Sequence, residues 1–323
     1  MNVVRGLLVA IALLWNGATA AQQVNYPSKP IRLIVAYAAG SSADLLARAM
    51  EPVLSERLRQ QIIIENRPGA AGNAGIDAVA KSAPDGYTLG LGAAGALAAN
   101  VSLYPNMPYD PAKDLAPVST IAFIPLVLIA NPKLPATSLA ELVELARAKP
   151  GELLIGFGGN GTTMNLASEL FKLTANIQLV NVPYKDTAPV VQDAANGKLA
   201  VGISDLGSAL PAIKSGKVRA LAVTSARRVS VAPDVPTFAE AGLAGYEATG
   251  WFGLVVAAAT PPAIVGRLNA DIVATLKRAE VRDRMIAAGI EPAPSTPEEF
   301  SAMMRAEIAK WANVVRISGA RPD

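Results

Sequence analysis

The sequence contains no cysteine and no histidine. Those two absences exclude a thiolate nucleophile, a histidine general base, a disulfide framework and a zinc site built from His or Cys ligands. Aromatic residues are scarce, at 5% of the chain, and charged residues reach only 17%. The two signs nearly balance, Lys+Arg 29 against Asp+Glu 26, and the basic residues are scattered. Following a nucleic-acid backbone requires a clustered basic face, so no nucleic-acid partner is expected. No later apolar run has transmembrane length; the stretch 121–130 falls well short of the roughly 20 residues a span needs, and it carries Pro125. What is present is apolar bulk: 51% of 323 residues are hydrophobic. That is ample for a buried core, and the length suits about two domains of roughly 150 residues.

Residues 1–21 read as a secretory signal. Arg5 supplies the positive end, Leu7 to Trp15 an apolar stretch, and Ala18-Thr19-Ala20 a small-x-small cleavage pattern. The apolar stretch is too short to anchor the chain in a bilayer. An exported, soluble protein is therefore expected, and the absence of cysteine suits an oxidising compartment.

Downstream, β-rich and helical patterns alternate. Ile31 to Ala38 reads as strand, Ala43 to Arg59 as helix, Gln61 to Glu65 as strand, Asn73 to Ser82 as helix and Tyr87 to Gly92 as strand. After a proline-rich stretch the alternation resumes, with strands at 153–157, 178–182, 199–204 and 218–224 separated by helices. Strands spaced by helices imply right-handed βαβ crossovers and largely parallel sheets. The long apolar run 118–131 reads as one β-rich segment, and 252–257 as another strand. The fold expected is α/β with two lobes joined by two chain crossings. Lobe one takes residues 24–122 plus 228–323 and lobe two takes 123–227. Two such connections make a hinge, with a ligand cleft between the lobes.

Two stretches match the glycine pattern of dinucleotide sites, Gly90 to Gly95 and Gly156 to Gly161. The acidic residue such a site places about 20 positions later is missing, so neither supports a nucleotide cofactor. A plainer chemistry remains. Gly40-Ser41-Ser42-Ala43-Asp44 follows the first strand and opens the first helix; Asn160-Gly161-Thr162-Thr163 has the same placement in the second lobe. A helix N-terminus offers unpaired N–H donors and a partial positive charge, and glycine lets a ligand approach the backbone. The hydroxyls could equally serve only as helix caps. Asp44 and Asp205 each stand where an N-terminal cap or dipole partner is also at home.

Several ordered segments resemble one known family. They include Tyr26-Pro27-Ser28-Lys29-Pro30 leading to Tyr37-Ala38-Ala39-Gly40 and Asp44, then Glu65-Asn66-Arg67-Pro68-Gly69-Ala70 and Pro84-Asp85-Gly86-Tyr87-Thr88-Leu89. Leu103-Tyr104 with Pro108-Tyr109-Asp110-Pro111 continues the series, followed by Val182-Pro183-Tyr184-Lys185, Leu221 to Thr224, Pro233 to Thr237 and Gly250-Trp251-Phe252-Gly253. Together they resemble the substrate-binding proteins of tripartite tricarboxylate transporters, also called the Bug family, over nearly the whole chain after the signal.

The resemblance implies a type II periplasmic binding protein, expected as a monomer, that closes on a small organic carboxylate and delivers it to membrane permease subunits. It implies ligand contacts from Tyr37, Ala39, Gly40, Ser41, Ser42 and Asp44, from Asn160, Gly161, Thr162 and Thr163, and from Asp205. It implies no catalysis, no cofactor and no metal. The chain departs from the family pattern at Ser41-Ser42, where Gly-Gly is common, and at Leu97, Asn165 and Ser204. A pocket less polar near Leu97 and roomier near Ser204 is therefore expected. Two other readings stay open: a carboxylate sensor domain for a signalling receptor, and a lyase or hydrolase using Asp44 and Asp205 as a carboxylate pair.

Overall fold

The structure is a computed structural model that describes residues 26–185 and 187–322; the expected signal segment lies outside the described residues. The chain builds two sheets, each flanked by helices, as two lobes. In the first lobe, strands β1 (Ile31–Val35), β2 (Ile62–Asn66) and β3 (Thr88–Ala93) run parallel. They are linked through helices α1 (Ser42–Leu58) and α2 (Asn73–Ala80). β4 (Leu115–Ile124), β10 (Gly250–Ala257) and the short β11 (Glu291–Pro292) complete the order β11-β4-β10-β3-β1-β2.

The second lobe has the order β7-β6-β8-β5-β9. It comprises β5 (Leu126–Ala130), β6 (Leu154–Gly158), β7 (Val180–Tyr184), β8 (Val201–Asp205) and β9 (Arg219–Val223). Its helices are α3 (Leu139–Ala148), α4 (Thr163–Ala175), α5 (Thr187–Asn196) and α6 (Leu206–Lys214). The chain then returns to the first lobe through β10, α7 (Pro262–Leu276), α8 (Ala279–Ala287) and α9 (Pro297–Ser318).

Local sequence explains the helix limits. Ser41 caps α1, and Arg59 ends it in a left-handed conformation with φ 54°. The last helix opens on a reciprocal capping box between Thr296 and Glu299, with Pro297 at its first position where no N–H is needed. It ends on Gly319 at φ 68°, a conformation glycine adopts without strain.

The structure differs from the sequence expectation at three places. The apolar run 118–131 is two strands in different sheets: β4 pairs with β10 in the first lobe, and β5 pairs with β8 and β9 in the second. Pro125 divides them. It has no N–H to give a ladder, so the chain turns there from one sheet to the other. The sheets are mixed rather than largely parallel, because β10 runs antiparallel to both β3 and β4, and β5 antiparallel to both β8 and β9. These strands carry the chain between lobes, so no local βαβ unit sets their direction.

The third difference is the segment 236–248, which the expected boundaries put in lobe one. It is docked on the second sheet: Val223 N–H donates to Pro236 O, Phe238 N–H to Val223 O and Ala248 N–H to Thr224 O, at 2.8, 3.2 and 3.1 Å. Tyr246 stacks on Phe238 with ring centroids 3.9 Å apart, and its hydroxyl donates to Ala167 O in α4.

The last helix lies across both lobes and packs on β4 and on α4. Its Glu307 carboxylate accepts both the Trp251 and the Trp311 indole N–H, at 3.2 and 2.8 Å. This ties the start of β10 to the helix that spans the junction. Among the described residues no helix is long and apolar enough to cross a membrane.

Candidate ligand-binding cleft

Strand direction decides which edges face each other. In the first lobe β1, β2 and β3 end at the same edge as β4, whose last residue Ile124 pairs with Gly250. In the second, β6, β7 and β8 end where β5 begins, with Leu126 opposite Asp205. Both carboxyl edges therefore abut the crossing at Ile124–Pro125–Leu126. In open α/β sheets this is the edge at which ligands bind, because helix N-termini and irregular loops converge there.

On the first lobe that edge carries one tightly organised turn. Gly40 has φ 81°, and nothing stands within 4 Å of where a Cβ would project, so its outer face is open. Its N–H donates to Asp44 Oδ2 at 2.9 Å, while Asp44 N–H donates to Ser41 Oγ at 3.3 Å. The Asp44 carboxylate also accepts from Arg48 Nε at 2.9 Å and from Asn66 Nδ2 at 3.0 Å. Asp44 is 2% exposed. The Arg48 hydrogen bond, with help from the Gly40 and Asn66 donors, holds its carboxyl down at about 2. Asp44 thus stays ionised and shapes the turn from below.

Tyr37 sits beside it. Its ring meets Phe252 edge-on at 6.3 Å, and its hydroxyl accepts from Ala93 N–H at 3.3 Å. Burial raises this phenol to about 12, so it remains a neutral hydroxyl. Ala39 is exposed on the approach to the turn.

The second lobe repeats the device. Gly161 has φ 71°, and its N–H donates to Asn165 Oδ1 at 3.1 Å, while Asn165 N–H donates to Thr162 Oγ1 at 3.3 Å. Gly-Ser-x-x-Asp at 40–44 and Gly-Thr-x-x-Asn at 161–165 therefore fold into the same hydrogen-bonded turn. They differ in charge, and the residue one helical turn on explains it. Asp44 is followed at i+4 by Arg48, but Asn165 is followed by Glu169, which Lys172 and Asn181 already hold. A second carboxylate beside Glu169 would be repelled; a neutral amide is not.

In both turns the first helical amides have no acceptor within their own helix. Those are the N–H groups of Ser42 and Ala43 in one lobe and of Thr163 and Met164 in the other. The Ser42 hydroxyl is exposed and that of Thr163 half-buried. Thr162 is spent differently, since its hydroxyl lies 2.8 and 2.9 Å from the Gly158 and Gly159 carbonyls to which it donates. Asn160 leads into the turn, half-buried. Asp205 caps α6, its Oδ1 accepting from Ser208 N–H at 2.8 Å. It stands at the same edge as Asn160 to Thr163, because Phe157 pairs with Ile203.

The structure thus gathers Tyr37, Gly40, Ser41, Ser42 and Asp44 in one turn and Asn160 to Thr163 with Asp205 at the facing edge. Asp44 and Thr162 serve the turns themselves. Leu97 and Ser204, expected to shape the pocket wall, are both fully buried in their lobes. Leu97 packs over Gly92, and Ser204 Oγ donates to Asp205 O at 3.1 Å. Asn66, Asn165 and the exposed Lys185 directly after β7 were absent from the expected site. The shared spacing of Gly, a hydroxyl residue and Asp or Asn was the signal that could have found Asn165.

The chain is similar to known proteins over most of its length. Residues 46–319 match the family described as the tripartite tricarboxylate transporter family receptor. The chain is 39% identical over 325 residues to the protein BugT of Bordetella pertussis, covering 99% of each. An R. palustris protein solved with adipate is 38% identical with TM-score 0.77, over 92% of this chain and 100% of that one. The malate-bound protein MatC of Rhodopseudomonas palustris is 31% identical with TM-score 0.73, over 90% of this chain and 100% of that one.

Proposed function

The chain belongs to the tripartite tricarboxylate transporter family of receptors, a family of periplasmic solute-binding proteins, and from that premise we propose that its two lobes close over a small organic carboxylate held between the twin turns. The observation that carries the proposal is the repeated turn at two facing sheet edges. Each turn presents two helix-start amides and a hydroxyl; the glycine face is open at Gly40, whereas Pro322 lies against Gly161 in the second turn. A carboxylate has four lone-pair directions and takes N–H and O–H donors without needing a cation. Two relatives of 38% and 31% identity hold adipate and malate, each an acid with two carboxylates. A ligand with an anionic group at each end would meet one helix N-terminus on each lobe, each bearing about half a positive charge.

The donors are assigned as the amides of Ser42, Ala43, Thr163 and Met164 with the hydroxyls of Ser41, Ser42 and Thr163, approached past Tyr37, Ala39, Gly40, Asn160 and Gly161. Asp44 and Thr162 hold the turns, and Asp205 faces the middle of the ligand, where it would accept from a hydroxyl or ammonium group. Lobe one is taken as residues 26–124 with 249–322, and lobe two as 126–248. Closure follows from population shift, because only the closed state completes contacts from both turns. The chain acts as a receptor that hands its ligand to membrane permease subunits, and no chemical step is assigned to it. Arrival in the periplasm uses the signal segment at residues 1–21.

A thermal-shift panel of mono-, di- and tricarboxylates on unfolded and refolded protein tests this reading. A ligand at 100 times its Kd adds about 2.7 kcal/mol. A clear upward shift confined to one acid class is the expected result; folded protein that no acid stabilises would overturn it.

A further inference from the structure

Residues Ala288 to Glu291 leave α8, enter β11 and touch the second lobe at two separate points. At the first, lobe-one backbone meets lobe-two backbone through two glycines. A Cβ on Gly207 would lie 3.1 Å from Ala288 O, and one on Gly289 would lie 3.0 Å from Gly207 Cα. At the second, Glu291 Oε1 accepts from both the hydroxyl and the N–H of Ser230, at 2.6 and 3.3 Å. Between these contacts Ile290 is buried in lobe one, and Glu291 pairs with Phe123 two residues before Pro125.

The first contact lies on the cleft side. Gly207 is two residues past Asp205, in the opening turn of α6, and the preceding Leu206 N–H donates to Pro125 O at 3.0 Å. A Cβ there would also come within 3.5 Å of Asp205 Oδ1.

We propose that segment 288–291 is a strap that sets the angle between the lobes, with Gly207 as the positioning residue on which it seats. The two glycines have different reasons to lack a side chain. Gly289 has φ 73°, which favours glycine wherever it occurs. Gly207 lies in ordinary helix, where other residues are better formers, so its missing Cβ is explained by the approach of Ala288 alone. Bulk at 207 would push the second lobe away from the first on the side where the twin turns face, and would displace the Asp205 corner with it. Loss of the Ser230–Glu291 bond would free the other end of the strap and let the lobes sample a wider range of angles.

The test needs no ligand, so it stands apart from the proposed carboxylate. The chain has no native cysteine, and Glu56→Cys with Lys149→Cys places one spin label on an exposed position of each lobe. Double electron–electron resonance then reads the interlobe distance in the ligand-free protein. Gly207→Val should move the mean to longer distance, and Ser230→Ala should broaden the distribution. A Gly207→Val protein that folds with an unchanged distribution overturns the proposal. If that variant fails to fold, Ser230→Ala decides: broadening supports the strap and an unchanged distribution refutes it.

Discussion

Replacing Asp44 by Asn tests how the first turn is held. The two carboxylate oxygens are both acceptors in the structure, Oδ2 for Gly40 N–H and Arg48 Nε and Oδ1 for Asn66 Nδ2. Asparagine keeps the shape but offers one acceptor, so one of these donors must face an NH2 group. The magnitude follows from the carboxyl's own titration. Its lowering from 3.8 to about 2 corresponds to about 2.4 kcal/mol favouring the ionised form in the folded protein, at about 1.36 kcal/mol for each tenfold change in acidity. A depressed folded value stabilises above the unfolded one and is lost as pH falls towards the folded value. The contribution is therefore full at pH 7, about half remains at pH 3, and it vanishes below about pH 2. Urea denaturation of wild type and Asp44→Asn should give a stability gap of about 2–3 kcal/mol at pH 7 that narrows by roughly 1 kcal/mol at pH 3. A gap absent at pH 7, or one that does not narrow, would refute the view that the ionised carboxylate organises this turn.

The neutral counterpart gives the reverse expectation. Asn165→Asp puts a charge at a position 4% exposed with Glu169 at i+4; it should cost about 1–3 kcal/mol at pH 7, and acidification should relieve the loss, as denaturation across pH would show. Ser42→Ala and Thr163→Ala should each weaken carboxylate binding by about 0.5–1.5 kcal/mol in calorimetry. Thr162→Ala should instead lower stability by about 1 kcal/mol, because its hydroxyl caps α4 and holds two carbonyls. Gly253→Ala, in the middle of β10, would set a Cβ against the Phe300 ring; the overpacking should cost about 1–3 kcal/mol in thermal denaturation.

The alternation of strand and helix was legible because each βαβ unit is local, and the Gly40 and Gly161 turns were legible because a helix start needs its cap nearby in sequence. What escaped depends on distant chain segments. β10 pairs with β4, more than a hundred residues earlier, so its antiparallel direction leaves no local mark. Asn66 reaches Asp44 from the next strand, and only the folded sheet brings it under the turn. Leu97 and Ser204 follow or end strands that point at the cleft, yet their side chains turn into the cores, which no spacing rule distinguishes. The seat of Ala288 on Gly207 joins residues far apart in sequence, and in the sequence Gly207 looks like an indifferent helix residue.

If both turns grip one ligand, amide hydrogen exchange with and without the carboxylate that gives the largest thermal shift will register it at both. Segments 40–46 and 161–167 should gain protection together on binding, since the amides of Ser42, Ala43, Thr163 and Met164 are then the donors. Saturable binding that protects only one of these segments, or neither, would contradict that shared grip.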